Sequence, residues 1–202
     1  MASIDLDFSK TDPALLEKMV ERRMKPIRID KSRVPADQLN RRELLKFEQQ
    51  LFKHFSKKEN READCIHEAG HEFYYRLIGM AVTRKGPGAI YRPLTNDFIF
   101  GSLETIAVDT PQTKRNVMDT AKALAAGGVA KVTLSPNTDP CDGHDFTVFN
   151  SLCKERWPNM IGQELQDIWD RAKDLVREDL CSQELQDEIR KIAREIENEI
   201  FG

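Results

Sequence analysis

Apolar residues recur at helical spacing along most of this chain, and this periodicity limits its fold more than any other feature. The spacing is most regular in two segments near the end of the sequence. The first stripe comprises Leu165, Ile168, Trp169, Ala172, Leu175 and Val176, and the second comprises Leu185, Ile189, Ile192, Ala193, Ile196 and Ile200. Side chains spaced in this way share one face of a helix. The chain is therefore expected to fold mainly by packing helices against one another, and both stripes are interpreted as core or helix-partner surface.

Helices are also predicted upstream of these two. Thr11-Asp12-Pro13 offers a cap and an N-terminal proline for a first helix, and a second helix carries apolar residues from Leu44 to Phe55 on one side. We treat residues 1–58 as a charged, helical N-terminal extension and residues 59–202 as the core.

Within the core, a third helix is predicted from about Arg61 to Ile78 and a further helix from Thr113 to about Val129. Gly127 and Gly128 would allow another group to pack closely against the end of the latter helix. Another helix is predicted to start at His144-Asp145.

Between these helices lies a segment with little helical period and many β-branched and aromatic residues. The cluster Lys85-Gly86-Pro87-Gly88 introduces it, and two or three short strands are predicted in it, best in Ala89–Arg92 and Asp97–Val108. The predicted fold class is therefore α+β, predominantly α-helical with a small antiparallel β-sheet beside the helix near residue 70.

Composition excludes several classes of function. The net charge of -3 over 202 residues gives no electrostatic case for binding nucleic acid. Charged residues make up 32% of the chain and interrupt every apolar run, so no transmembrane segment is expected. The four cysteines show no CxxC spacing, and no secretory leader is recognisable, which favours reduced thiols and a cytoplasmic location.

The segment His67-Glu68-Ala69-Gly70-His71 carries the most specific chemical pattern. Histidines four positions apart lie one helical turn from each other, where both imidazoles can reach one Zn²⁺ ion. Glu68 follows the first histidine and can serve as a general base without displacing either ligand. With only four histidines in the chain, chance alone seldom produces this spacing.

A catalytic zinc usually has three protein ligands, so one more must come from elsewhere in the sequence. The residues after His71 supply no glycine and third histidine of the metzincin type. The candidates are Asp142, His144 and Asp145, which cluster after a polar loop. An acid at position 145 could equally serve to stabilise the first turn of a helix, and the two roles are compatible.

The run from Cys65 to His71 resembles the zinc helix of the FtsH-type peptidase domain, the proteolytic half of membrane-bound AAA proteases. The order of the following elements is similar: a β segment, a helix rich in alanine and glycine from Ala121 to Ala130, and a stretch that contains a ligand aspartate. The aspartate that matches is Asp145, with His144 as its main rival. The resemblance covers about residues 59–202.

The chain departs from that family in two respects. Gly128, Lys131 and Val132 stand where the family tends to have an arginine and paired glutamates, so the groups that support the ligands should differ. The sequence also has no Gly-x-x-x-x-Gly-Lys-Ser/Thr loop, so no ATPase module is expected in it.

The resemblance implies an ATP-independent zinc endopeptidase in which His67, His71 and Asp145 hold Zn²⁺ and Glu68 is the general base. Its substrates would be peptides or proteins. Two alternatives are kept: a regulatory or scaffold protein that retains a weak or silent metal site, and a peptidase subunit served by an ATPase on a separate chain. Because the family forms rings, a homo-oligomer is also anticipated.

The predicted strands could contribute to such a site in one of two ways. An edge strand from Phe98–Val108 could pair with an extended substrate, or it could merely cover the core.

Overall fold

A computed structural model describes residues 53–86, 88–92, 97–101, 103–113, 116–138, 143–160 and 162–201. The helices in these ranges are α1 (Lys58–Leu77), α2 (Val117–Leu134), α3 (Gly143–Arg156), α4 (Gly162–Asp179) and α5 (Gln183–Phe201). The strands are β1 (Ala81–Lys85), β2 (Gly88–Arg92), β3 (Asp97–Gly101) and β4 (Glu104–Val108). The predominantly α-helical α+β class is confirmed. No helix in the described ranges is long and apolar enough to cross a membrane.

The first predicted helix lies outside the described residues, as does the second up to residue 52, and residues 53–55 of the second are helical. The division into an extension over residues 1–58 and a core over residues 59–202 therefore stays a prediction.

The chain divides into two compact units, and the smaller one gathers residues that are distant in sequence. Its described part consists of residues 53–61, the stretch from 85 to 104 with its gaps, and residues 197–201. Strands β2 and β3 pair antiparallel in it, from Gly88 opposite Gly101 to Arg92 opposite Asp97. Phe55 is fully buried, and its ring centroid lies 5.1 Å from that of Phe201.

The larger unit, residues 62–84 and 105–196, is built around the contact of α2, α3 and α4. Its buried cluster comprises Ala121, Leu124, Ala125, Phe149, Cys153, Leu165, Trp169 and Ala172. The Trp169 ring lies 5.3 Å from Phe146 and 5.5 Å from Phe149, in tilted arrangements that are typical of packed aromatic side chains. The apolar stripe predicted around Trp169 is thus buried core, as expected from its spacing.

Local sequence signals explain where α1 ends. Gly79 has a φ angle of 81°, a conformation that glycine adopts at no steric cost. Its N–H donates to the Arg76 carbonyl at 3.0 Å, and the Met80 N–H donates to the Tyr75 carbonyl at 3.0 Å. This is the Schellman pattern, which satisfies carbonyls that the helix itself leaves unpaired. The glycine therefore stops α1 shortly after the histidine motif and sends the chain into β1.

Helix α2 starts later and ends later than the sequence predicts. The Asn116 side chain accepts a hydrogen bond from the Asp119 N–H at 2.9 Å, while the Asp119 carboxylate accepts one from the Asn116 N–H. This capping box sets the first helical residue at Val117. At the other end the helix continues past Val129 to Leu134, so the two glycines lie inside it and do not end it.

The β segment also differs from the prediction in its pairing. The predicted strand Asp97–Val108 is two strands: β3 pairs with β2, whereas β4 pairs with β1. Strand β1 was not predicted, because Ala81–Lys85 is short and two of its five residues are basic. Pairing of β1 with β4 joins segments about 20 residues apart, and a contact of this kind leaves no local sequence signal.

Candidate metal centre

Helix α1 brings the two motif histidines together, as their spacing predicts. The Nε2 atoms of His67 and His71 are 3.0 Å apart, and the ring centroids are 4.7 Å apart in an edge-to-face arrangement. His71 is buried and His67 is nearly so, with 13% of its side chain exposed. The two nitrogens therefore converge on one position away from bulk water.

Helix α3 supplies the third member of the cluster from its first turn. The Asp145 Oδ2 atom lies 3.4 Å from the His67 Nε2 atom and 3.6 Å from the His71 Nε2 atom. His144 is exposed on the neighbouring position, and Asp142 lies outside the described residues. Of the described candidates, the structure thus brings Asp145 to the histidines and leaves His144 facing solvent.

The separations of these three atoms suit a small tetrahedral cation. Ligands that hold zinc at about 2.0–2.1 Å in a tetrahedron lie about 3.3 Å from one another. The three separations of 3.0, 3.4 and 3.6 Å bracket that value. The buried Asp145 Oδ2 atom also has no hydrogen-bond partner among the described residues, so this lone-pair donor is available to a metal ion.

Protonation of the cluster follows from burial and from Asp145. Burial opposes a charge on His71, but the Asp145 carboxylate, helped by Glu68 and the Ala123 carbonyl, raises the pKa of His71 to about 9. Burial and the neighbouring His71 lower the pKa of His67 to about 4, against the attraction of Asp145. Burial alone would raise the pKa of Asp145, yet its interactions with His71 lower it. The Asp145 carboxylate thus favours the protonated form of His71, and a bound divalent cation would take the place of a proton at the His71 Nε2 atom.

A glycine of α2 forms one wall of the centre. A Cβ atom built on Gly127 would lie 2.3 Å from the His71 Nε2 atom and 2.8 Å from the His67 Nε2 atom. Similarly, a Cβ atom on Gly70 would lie 2.6 Å from the Ala126 carbonyl oxygen. Gly70 and Gly127 let α1 and α2 approach closely, which agrees with the close packing predicted at Gly127.

The two histidines differ in how their second ring nitrogens are held. The His71 Nδ1 atom lies 2.8 Å from the Ala123 carbonyl oxygen, a bond that holds a proton on Nδ1, so Nε2 is the nitrogen that can ligate a metal ion once it is deprotonated. The His67 Nδ1 atom is buried and has no hydrogen-bond partner among the described residues.

Glu68 is held beside the histidines by strand β4. The Thr105 N–H donates to the Glu68 Oε2 atom at 2.6 Å, and the Thr105 hydroxyl donates to the Glu68 carbonyl oxygen at 3.3 Å. Burial raises the pKa of Glu68, although His71 and the hydrogen bonds from Thr105 act in the opposite direction. The carboxylate is therefore fixed in position and shielded from water.

Sequence reasoning did not find Thr105 or the Ala123 carbonyl. Backbone donors and acceptors are common to all residue types, so their contribution to a site leaves no trace in the sequence. Asp64 and Lys131 could have been found: their side chains form a buried ion pair at 3.0 Å, and Lys131 interrupts an otherwise apolar stretch of α2.

Comparison of the chain with protein-family models, curated proteins and solved structures found no match.

Proposed function

We propose that this chain is a zinc-dependent endopeptidase of the FtsH type that cleaves peptides without ATP. The observation that carries the proposal is the convergence of His67, His71 and Asp145 on one position, with Glu68 on the same helical turn. The order of elements supports the same reading, because a strand segment and an alanine-rich helix separate the motif from Asp145.

The donor set favours zinc over other common cations. Two imidazoles and one carboxylate are the ligands of many catalytic zinc sites, whereas calcium and magnesium prefer oxygen ligands alone. When bound, Zn²⁺ would supply Lewis acidity and lower the pKa of a water molecule at the site to about 7. His67, His71 and Asp145 would hold the ion, and the Ala123 carbonyl would fix the orientation of the His71 ring.

Glu68 would move the proton that peptide hydrolysis requires. Its Oε2 atom is engaged by the Thr105 N–H, so we assign proton transfer to Oε1. That oxygen would accept a proton from the attacking water and deliver it to the leaving amine nitrogen. Because burial raises the pKa of Glu68, the carboxylate is a stronger base than an exposed glutamate and matches this two-step role better.

The decisive experiment replaces Glu68 by glutamine. E68Q removes the base but keeps the size and the Thr105 contact, so we expect one zinc per chain, as in wild type, and a loss of peptide cleavage of about 10²–10⁴-fold. Zinc content and cleavage of an internally quenched peptide library would be measured together. E59Q, at an exposed position on the same helix, is the matched control and should cleave normally.

Cleavage by E68Q at the wild-type rate would show that Glu68 is not the base. Wild-type protein without zinc after purification in its presence would contradict the metal site itself.

A second candidate is a regulatory or scaffold protein that binds metal without cleaving peptides. The short Thr105–Glu68 bond favours it, because this bond occupies Oε2 and opposes the rise in the pKa of Glu68 that burial causes. Zinc-loaded wild-type protein that cleaves no member of the library, alone or with any ATPase that co-purifies with it, would favour this candidate. Co-purification of an ATPase that switches cleavage on would instead identify a peptidase subunit served by a separate chain.

The proposal extends to the location, the binding partners and the oligomeric state of the protein. We infer a cytoplasmic protein that acts on peptides or proteins, does not bind nucleic acid and assembles as a homo-oligomer. Light scattering of the purified chain tests the last point, and a monomer at micromolar concentration would contradict it.

A further inference from the structure

The two histidines differ in whether the Nδ1 atom has a hydrogen-bond partner, and this difference requires an explanation. A histidine that ligates a metal through Nε2 carries its proton on Nδ1, and such N–H groups are nearly always hydrogen-bonded. His71 meets this requirement through the Ala123 carbonyl, whereas the buried Nδ1 atom of His67 has no partner among the described residues. A buried N–H without a hydrogen-bond partner destabilises the folded state. A group that can accept this hydrogen bond should therefore lie close to His67.

One buried acid of α1, Asp64, lies on the helical turn before this histidine. Asp64 is 6% exposed, and its Oδ1 atom accepts a hydrogen bond from the Lys131 Nζ atom at 3.0 Å. Lys131 is also 6% exposed, so both charges have left bulk water. Burying an ion pair costs several kcal/mol in desolvation, and an apolar pair of similar volume is often equally stable. Stability alone is thus a weak reason for this pair.

Helix geometry places Asp64 on the correct side of His67. The two residues are three positions apart on α1 and so lie on the same face. A helical side chain leans over the turn that precedes its own Cα atom, so the His67 ring covers the turn that contains Asp64. Lys131 is one turn beyond Gly127, the glycine that touches both Nε2 atoms. The charges of Asp64 and Lys131 shift the pKa of His67 in opposite directions, which is in keeping with this placement on the helices.

We propose that Asp64, held by Lys131, is the positioning residue of His67 and accepts the hydrogen bond from its Nδ1–H when Nε2 faces a metal ion. The proposal rests on the proposed function, because it assumes a bound zinc ion. Lys131 cannot accept a hydrogen bond. Asp145, the other acid that acts on His67, lies at the Nε2 side of the ring. The role of Lys131 is to neutralise Asp64 and to restrict its rotation.

Two variants and one control test this arrangement in the full-length chain. D64N keeps the shape of the side chain but removes its charge, and the double variant D64L/K131M replaces the buried ion pair by apolar groups. D179N is the control, because Asp179 is likewise paired to a lysine of α2, Lys122, at 2.8 Å. Zinc affinity would be measured by competition with a chromophoric chelator. Imidazole ¹⁵N–¹H spectra of the zinc-loaded proteins would report the Nδ1–H proton, with four histidines to assign.

We expect both variants at position 64 to bind zinc about 10–100-fold more weakly than wild type, the usual effect of losing an outer-sphere partner. The wild-type spectrum should contain a strongly downfield Nδ1–H signal for His67, and the variants should lose it. D179N should keep the wild-type affinity and signal. The double variant should also keep the wild-type melting temperature, because an apolar pair replaces the buried ion pair. Its weaker zinc binding would then reflect the lost acceptor and not misfolding, even if D64N folds poorly.

Wild-type affinity and an unchanged His67 signal in the variants would overturn the proposal and identify a backbone carbonyl as the acceptor, while the zinc site would stand. A wild-type chain that binds no zinc would overturn both.

Discussion

Gly127 determines how closely α2 approaches the two histidines. Its Cα hydrogen occupies the space next to both Nε2 atoms, where a methyl group would lie 2.3 Å from His71. The position of a metal ion between His67, His71 and Asp145 is therefore bounded by backbone, which cannot rotate away as a side chain can. Glycine is needed here for lack of space and not for its backbone freedom, since the residue lies inside a regular helix.

We predict that G127A loses zinc binding and is destabilised by about 1–3 kcal/mol, because the added methyl group must displace both imidazoles. Zinc affinity and urea unfolding of the metal-free protein would be measured separately. G143A is the matched control: its Cβ atom would meet nothing within 4 Å, and it should bind zinc as wild type does. If G127A binds zinc with wild-type affinity, the ion does not sit where the three ligand atoms converge.

Some residues of the candidate metal centre were predicted from the sequence. The placement of His67, Glu68 and His71 followed from helical spacing alone. The choice between His144 and Asp145 did not, because consecutive helical residues point about 100° apart and only the packing of α3 decides which one faces inward. In the structure Asp145 is buried at the cluster and His144 is exposed.

A small polar cluster connects helices α1, α2 and α4. The Tyr74 hydroxyl on α1 donates to the Asp179 carboxylate at the end of α4 at 2.7 Å. The Lys122 ammonium on α2 donates to the same oxygen at 2.8 Å and lies 5.2 Å from the centre of the Tyr74 ring. Partial burial would raise the pKa of Asp179, but the bonds from Lys122 and Tyr74 lower it. Burial and Asp179 together raise the pKa of Tyr74.

Removal of the hydroxyl in Y74F should destabilise the chain by about 1 kcal/mol near pH 7, a value reduced because Asp179 is 40% exposed. Because the pKa of Asp179 is lowered in the folded chain, ionised Asp179 contributes to stability at pH values above its unfolded pKa of about 3.9. This contribution is lost as the pH falls through the folded pKa. Because the pKa of Tyr74 is raised in the folded chain, its protonated hydroxyl contributes to stability at pH values below its unfolded pKa of about 10, and this contribution is lost at higher pH. The difference between wild type and Y74F should therefore shrink at both extremes.

Urea unfolding of wild type, Y74F, D179N and the double variant between pH 3 and 11 provides the check. A coupling energy near zero at pH 7, or a difference that does not change with pH, would show that the two side chains do not interact in solution.

At the scale of elements, the long periodic helices and the segments that form β2, β3 and β4 were predicted, whereas strand β1 and the pairing of the strands were not. The stripes of α4 and α5 repeat over several turns, so their period is unambiguous. Strand β1 has only five residues, and its partner β4 follows after two further strands. A strand of this kind forms because it pairs with a distant strand and not because of its own sequence. Its partner β4 carries Thr105, whose N–H donates to Glu68.

The candidate ligands lie far apart in sequence but within one compact unit. His67 and His71 belong to α1, Asp145 belongs to α3, and helix α2 lies against the histidines. Because an unfolded chain rarely holds these three groups together, a bound ion should stabilise the folded chain preferentially. Binding and folding are then thermodynamically linked for the unit as a whole.

We therefore predict that zinc raises the melting temperature. A free zinc concentration of 100 times the Kd adds about 2.7 kcal/mol, which corresponds to roughly 5–10 °C for a chain of this length. H71A and D145N should show no zinc-dependent shift, and a chelator should reverse the shift of wild type, as followed by differential scanning calorimetry. E68Q should keep the full shift, because Glu68 is assigned to proton transfer and not to coordination. A shift lost in E68Q would make Glu68 a ligand, and a shift kept in D145N would remove Asp145 from the coordination sphere.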